Sequence, residues 1–154
     1  MDDINDSLIG ILDRVIPLKE KLRVLSQPMC DIDYDFMGFL EPYWCLSKLI
    51  PKDWVVFDFG CSYNAQCYFF DKHKEYHAIE PIETDGQCTE LFHTENTIIH
   101  RCTTGHFLKN IFPTLNVDIN KCFAIVNNVP NWYGEDSMKL VRDSFKNCYT
   151  FYIA

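Results

Sequence analysis

The residues best placed to do chemistry lie in one short turn, Asp58-Phe59-Gly60-Cys61-Ser62-Tyr63-Asn64-Ala65-Gln66, directly after the apolar run Trp54-Val55-Val56-Phe57. A carboxylate, a glycine and small polar residues at every second position let a backbone pass close to a ligand and turn N–H groups towards it. Asn tolerates the left-handed region best among residues with a side chain, so Asn64 is a mild substitute for glycine and Ser62 a bulkier one. A second acid ends Tyr76-His77-Ala78-Ile79-Glu80, 22 residues after Asp58. In dinucleotide-binding folds a carboxylate at that point accepts hydrogen bonds from ribose hydroxyls.

Other chemistries find less support. His73, His77, His93, His100 and His106 form no HxxxH or HExxH set, and none pairs with a cysteine at zinc spacing, so each reads as a surface or strand-end histidine and no metal is expected. There is no G-x-S-x-G elbow and no Walker loop. Cys30, Cys45, Cys61, Cys67, Cys88, Cys102, Cys122 and Cys148 stand singly, without a CxxC pair. The chain opens on Met1-Asp2-Asp3-Ile4-Asn5-Asp6, acidic where a secretory signal is basic, so reduced cysteines in a cytoplasmic protein are expected. The run Asn127-Asn128-Val129-Pro130-Asn131-Trp132-Tyr133 has two readings, a turn of capping asparagines with a core Trp, or groups that meet a substrate.

The elements that must hold these residues follow from periodicity. Leu8, Ile11, Leu12, Val15 and Leu18 predict a first helix that Pro17 ends or bends; Gln27 to Asp35 reads as a polar connector. Glu41-Pro42 opens a second helix with Tyr43, Leu46, Leu49 and Ile50 on one face. Short β-rich runs predict strands at 54–59, 76–80, 97–101, 122–127 and 148–154, and an amphipathic helix at 134–146 precedes the last. The terminal run Phe151-Tyr152-Ile153 is expected as an ordered strand covered on both faces. Strands alternating with helices imply an α/β fold with a parallel sheet and helices on both sides. With 154 residues, 47% of them hydrophobic, the chain is expected to be one domain, a helical extension over 1–50 and an α/β core over 51–154. A formal net charge of −8 disfavours a broad nucleic-acid interface, and no apolar run reaches the length of a membrane span.

The turn and the two acids resemble motif I and the second-strand acid of class I S-adenosylmethionine-dependent methyltransferases. That motif is an acid, any residue, then glycines at alternate positions; here Asp58 and Gly60 match, and Ser62 and Asn64 replace the later glycines. The resemblance covers roughly residues 40–154. It implies a three-layer Rossmann-like sheet in the order 3-2-1-4-5, lacking the last two strands of the full methyltransferase fold. It implies S-adenosylmethionine as cofactor, bound by Asp58, Gly60, Ser62, Asn64, Glu80, Thr103 and Asn127, with Glu80 on the ribose and Thr103 where family members place an acid near the adenine. Asn128, Trp132 and Tyr133 would then meet a small-molecule or protein nucleophile. Two function classes follow: a methyltransferase, or a catalytically degenerate binding module of the same fold. A dinucleotide-binding reading through Gly60, Ser62 and Ala65 is weaker. The open C-terminal strand edge invites a cover, by a second copy, a partner protein or the N-terminal helices.

Overall fold

The computed structural model describes residues 32–62, 64–81, 91–127, 129 and 134–151, with the side chains of 32–39, 41 and 65 left aside. The first expected helix and the substrate candidates Asn128, Trp132 and Tyr133 lie outside the described residues.

Helix α1 (Ile32–Leu49) leads to β1 (Val55–Phe59), and a 3-10 turn (Ala65–Phe70) joins it to β2 (Glu75–Ile79). After β3 (Thr97–His100) the short α2 (Thr104–His106) runs on as a π turn (Phe107–Ile111) and a 3-10 turn (Phe112–Thr114). Then come β4 (Cys122–Asn127), α3 (Ser137–Ser144) and β5 (Cys148–Phe151). All strand pairs are parallel, in the order β3-β2-β1-β4-β5, as the sequence predicts. The chain winds one way from β1 to β3 and the other way from β4 to β5, so β1 and β4 flank the switch point. Ligands of such sheets bind there, beyond the carboxyl ends.

β1 is buried at every residue, which explains its nearly unbroken apolar run. Side chains of alternate residues feed two layers. One layer packs Val56, Tyr76, Ala78 and Ile125 against Leu40, Tyr43 and Leu46 of α1 and Phe70 of the 3-10 turn. The other packs Val55, Phe57, Phe59, Ile79 and Val126 against Phe107, Val141 and Phe145. Phe57 is the hub of the second layer, with ring centroids 4.7 Å from His77, 5.4 Å from Phe145, 5.5 Å from Phe112 and 5.9 Å from Phe107.

Four expectations need correction. α1 begins at Ile32, inside the expected connector, and carries Pro42 in its interior rather than near its start. An interior proline forfeits one backbone bond; burial of Leu40, Tyr43 and Leu46 on one face offsets the loss. α3 is shorter than 134–146, because Gly134 has φ +71°, which no helix continues, and Asp136 caps the helix by accepting from Lys139 N. β5 is half-buried to exposed along its length, with Phe151 42% exposed, so it is an edge strand and not one covered on both faces. Tyr152 and Ile153 lie outside the described residues. Finally, His73 and His77 are interior residues; their polarity hides them in a reading by hydrophobicity. Of the cysteines, the described six are free: Cys61 and Cys67 lie buried in the α1 layer, Cys122 is buried in the opposite layer, and Cys45 is exposed. No described helix is long and apolar enough to cross a membrane.

Truncating the Phe57 hub should cost about 3–5 kcal/mol as Phe57→Ala, whereas Phe151→Ala at the half-open edge should cost under about 1 kcal/mol. Urea denaturation of the two variants checks this; equal losses would mean that the edge strand is as tightly held as the centre.

Candidate functional site

The turn after β1 is built by register. Gly60 N continues the ladder by donating to Ile79 O at 2.7 Å, and the chain then folds back, with Asn64 N donating to Cys61 O at 3.1 Å. Three alternate residues take left-handed backbone: Gly60 at φ +75°, Ser62 at +56° and Asn64 at +69°. A loop with a single glycine in its sequence therefore has the backbone of a loop with three. For Ser62 and Asn64 this conformation carries a steric cost that the surroundings must over-determine. The surroundings do so. Ser62 N donates to Glu80 Oε1 at 2.8 Å, Asn64 Nδ2 donates to Phe92 O at 2.8 Å, and the Tyr76 hydroxyl reaches Asn64 Oδ1 at 3.1 Å. At Gly60 the space is closed as well, since an added Cβ would stand 2.5 Å from Val129 Cγ2 in the segment after β4.

Asp58 points away from the turn's mouth, into the α1 layer, and is wholly buried. Its carboxylate accepts from the Tyr43 hydroxyl at 3.2 Å, from Gln66 Nε2 at 2.8 Å and from the Tyr76 hydroxyl. Gln66 Nε2 also donates to Cys61 O at 2.9 Å, and Asn127 hydrogen-bonds the Tyr43 hydroxyl. Burial pushes the Asp58 carboxyl up to about 6, against the three hydrogen bonds that favour its charge; the nearby Glu80 charge pushes it further up. The same burial, with Asp58 beside them, holds both tyrosines well above their ordinary range.

The structure thus brings Gly60, Ser62, Asn64 and Glu80 together at the carboxyl ends of β1 and β2, and ties Asp58 to Asn127 through Tyr43. Thr103 does other work: its hydroxyl accepts from His106 N at 3.2 Å and caps α2. Sequence reasoning missed Tyr43, Tyr76 and Gln66. The tyrosines read as core because their rings are core. Gln66 did carry a signal, a lone amide at the head of the otherwise apolar Cys67-Tyr68-Phe69-Phe70.

A second polar chain crosses the other layer. His77 Nε2 meets Glu75 Oε2 at 2.9 Å and His77 Nδ1 meets His100 Nε2 at 2.9 Å, with the two imidazoles stacked at 5.2 Å. With Glu75 ionised, His77 donates to it through Nε2 and accepts from His100 through Nδ1. Burial lowers both histidines; Glu75 works against the shift at His77, while the neighbouring His77 pushes His100 further down, to about 4. No group of metal-ligating side chains occurs among the described residues.

Compared with known proteins, the chain matches no family model, no curated protein and no solved structure.

Two predictions follow from this geometry. Gly60→Ala meets both a left-handed φ and Val129, and should lose about 2–4 kcal/mol in chemical denaturation. Ser62→Gly relieves backbone strain and should stay within about 1 kcal/mol of wild type; similar losses for both would mean that φ does not govern the loop. The histidine pair sets a pH dependence. Its folded values lie below the ordinary 6.5, so the unfolded chain binds more protons, and this contribution to stability is lost as pH falls from about 6.5 towards 4. The stability difference between wild type and His100→Gln should therefore narrow on going from pH 7 to pH 5, and parallel pH profiles would refute the assignment.

Proposed function

We propose that this protein binds S-adenosylmethionine beyond the carboxyl ends of β1, β2 and β4, and transfers its methyl group to a small-molecule or protein nucleophile. The observation that carries the reading is the left-handed backbone at Gly60, Ser62 and Asn64, the alternate positions at which the methyltransferase motif has glycine. The sheet order, with this turn at its switch point, supports it. So does Glu80, which stands one residue past β2 with its carboxylate aimed by the Ser62 N–H.

S-adenosylmethionine supplies an electrophilic methyl group on a sulfonium. The chain's own share is positioning. The turn at Gly60, Ser62 and Asn64 would hold the cofactor's carboxypropyl end through its backbone, and Glu80 would accept from the ribose hydroxyls. A nucleophile would be lined up for in-line transfer beyond Asn127, at the carboxyl end of β4. Holding two reactants in line supplies the rate without a side chain that changes its covalent state.

A second reading has its own support. The side chains of Asp58 and Asn64 are spent on the protein interior, on Tyr43, Gln66, Tyr76 and Phe92 O, which suits a binding module of this fold that carries out no transfer.

Calorimetric titration with S-adenosylmethionine, S-adenosylhomocysteine and NAD separates these readings. Binding of both adenosyl compounds is expected, with Glu80→Ala weaker by about 1–3 kcal/mol, or roughly five- to 150-fold. Wild-type affinity in a folded Glu80→Ala protein would sink the ribose assignment, and NAD as the only ligand bound would replace the cofactor. Tight binding without methyl transfer to any offered nucleophile would favour the module, and no binding at all would end the proposal.

A further inference from the structure

The buried cluster around Asp58 has more acceptor contacts than hydrogens. The Tyr76 hydroxyl lies against Asp58 Oδ2 and 3.1 Å from Asn64 Oδ1. An ionised carboxylate and an amide oxygen are both acceptors, and a phenol has one hydrogen. Turning the Asn64 amide over does not help, because its Nδ2 already serves the Phe92 carbonyl and the flipped oxygen would face that carbonyl instead. Gln66 is fixed by the same logic, with Nε2 between Asp58 Oδ2 and Cys61 O. The contacts Tyr43 to Asp58, Gln66 to Asp58, Gln66 to Cys61 O, Tyr76 to Asp58 and Tyr76 to Asn64 need five hydrogens. The two hydroxyls and the one amide supply four.

The fifth hydrogen belongs on the carboxyl itself. We propose that Asp58 takes up a proton on Oδ2 and donates it to the Tyr76 oxygen, which turns the Tyr76 hydrogen onto Asn64, so that Tyr76 is the positioning residue tying the ligand loop to the protonation of Asp58. The proton comes from water, and no bond between heavy atoms forms or breaks. When Asp58 ionises, the proton returns to water, the Tyr76 hydrogen swings to the carboxylate, and Asn64 Oδ1 is left with no donor in a buried place. Asn64 is the residue that holds the left-handed end of the loop, so the loop is fully braced only while Asp58 is protonated.

Burial and the Glu80 charge favour the proton, against the hydrogen bonds from Tyr76, Gln66 and Tyr43, which favour the ionised form. Asp58 is faced by Tyr43 from α1, Tyr76 from β2, Cys61 in the turn, Cys67 in the 3-10 segment and Glu80 beyond β2, and each of these is neutral or anionic. Burial already brings the carboxyl to about 6, where modest acidification protonates it.

The inference deepens the adenosyl-ligand reading, through the same loop, but it is tested on the free protein, so that either can fail alone. Carbon-13 carboxyl shifts of Asp58 and side-chain amide shifts of Asn64 would be followed by NMR between about pH 5 and pH 8. Both should move with one midpoint in wild type. In Tyr76→Phe, Asp58 should still titrate while the Asn64 signals no longer follow it. In Asp58→Asn, whose Nδ2 can donate to Tyr76 but cannot accept from Gln66 Nε2 as the acid's hydroxyl does, nothing titrates at this position and the Asn64 signals should lose their pH dependence. Asn64 signals that stay still while Asp58 titrates would overturn the proposal, and so would an Asp58 already ionised at the lowest pH, or coupling that survives in Tyr76→Phe. If Tyr76→Phe does not fold, wild type and Asp58→Asn decide the matter between them. Failure of the adenosyl titration alone would remove the ligand and leave the relay.

Discussion

A carboxylate in the middle of a protein core is the constraint on which the rest of this molecule turns. Asp58 sits on the central strand, where its neighbours along β1 are Val56, Phe57 and Phe59, and it has no exposed surface. An unpartnered charge there would cost more than a small domain's stability margin. The fold therefore gathers donors around it from every direction: Tyr43 from α1, Gln66 from the segment after the turn, Tyr76 from β2. Each partner has a second attachment, to Asn127, to Cys61 O and to Asn64. Satisfying one buried group thus fixes how the first helix, the ligand turn and the end of β4 sit relative to one another.

This arrangement also accounts for a loop that keeps its shape without its glycines. In a glycine-rich turn the chain adopts positive φ because nothing forbids it. Here Ser62 and Asn64 adopt it because Glu80, Phe92 and Tyr76 hold them there. Intrinsic freedom has been exchanged for external bracing. Such a turn is more rigid than a glycine loop, and it depends on residues 76, 80 and 92, far away in sequence.

The fold was legible in the sequence wherever burial on both faces writes a nearly unbroken apolar run, as at Val55–Phe59, interrupted by Asp58, and at Cys122–Asn127. At β2 the reading slipped by one residue, because Glu75 and Glu80 bracket the run symmetrically and only the pairing of Val55 with Glu75 decides between them. Pro42 misled for a local reason, since a proline is cheapest at a helix start and tertiary packing alone makes it tolerable further in. The turn, the two acids and the switch point were visible from residue types and spacing. The hydroxyls of Tyr43 and Tyr76 were not, because an aromatic residue in an apolar run gives no sign of where its polar tip points. The histidine pair shares that difficulty: its partners meet across two strands that are paired only in the folded chain.

The free cysteines give the two layers separate clocks. Cys61 and Cys67 lie under α1, Cys122 lies under the opposite layer, and all three thiols are buried and held above their ordinary pKa, so that a thiol reagent reaches them only when their layer opens. Cys45 on the surface of α1 marks the rate of unhindered labelling. Alkylation followed by mass spectrometry therefore resolves, without any introduced probe, whether the helical layer and the aromatic layer breathe together or one at a time.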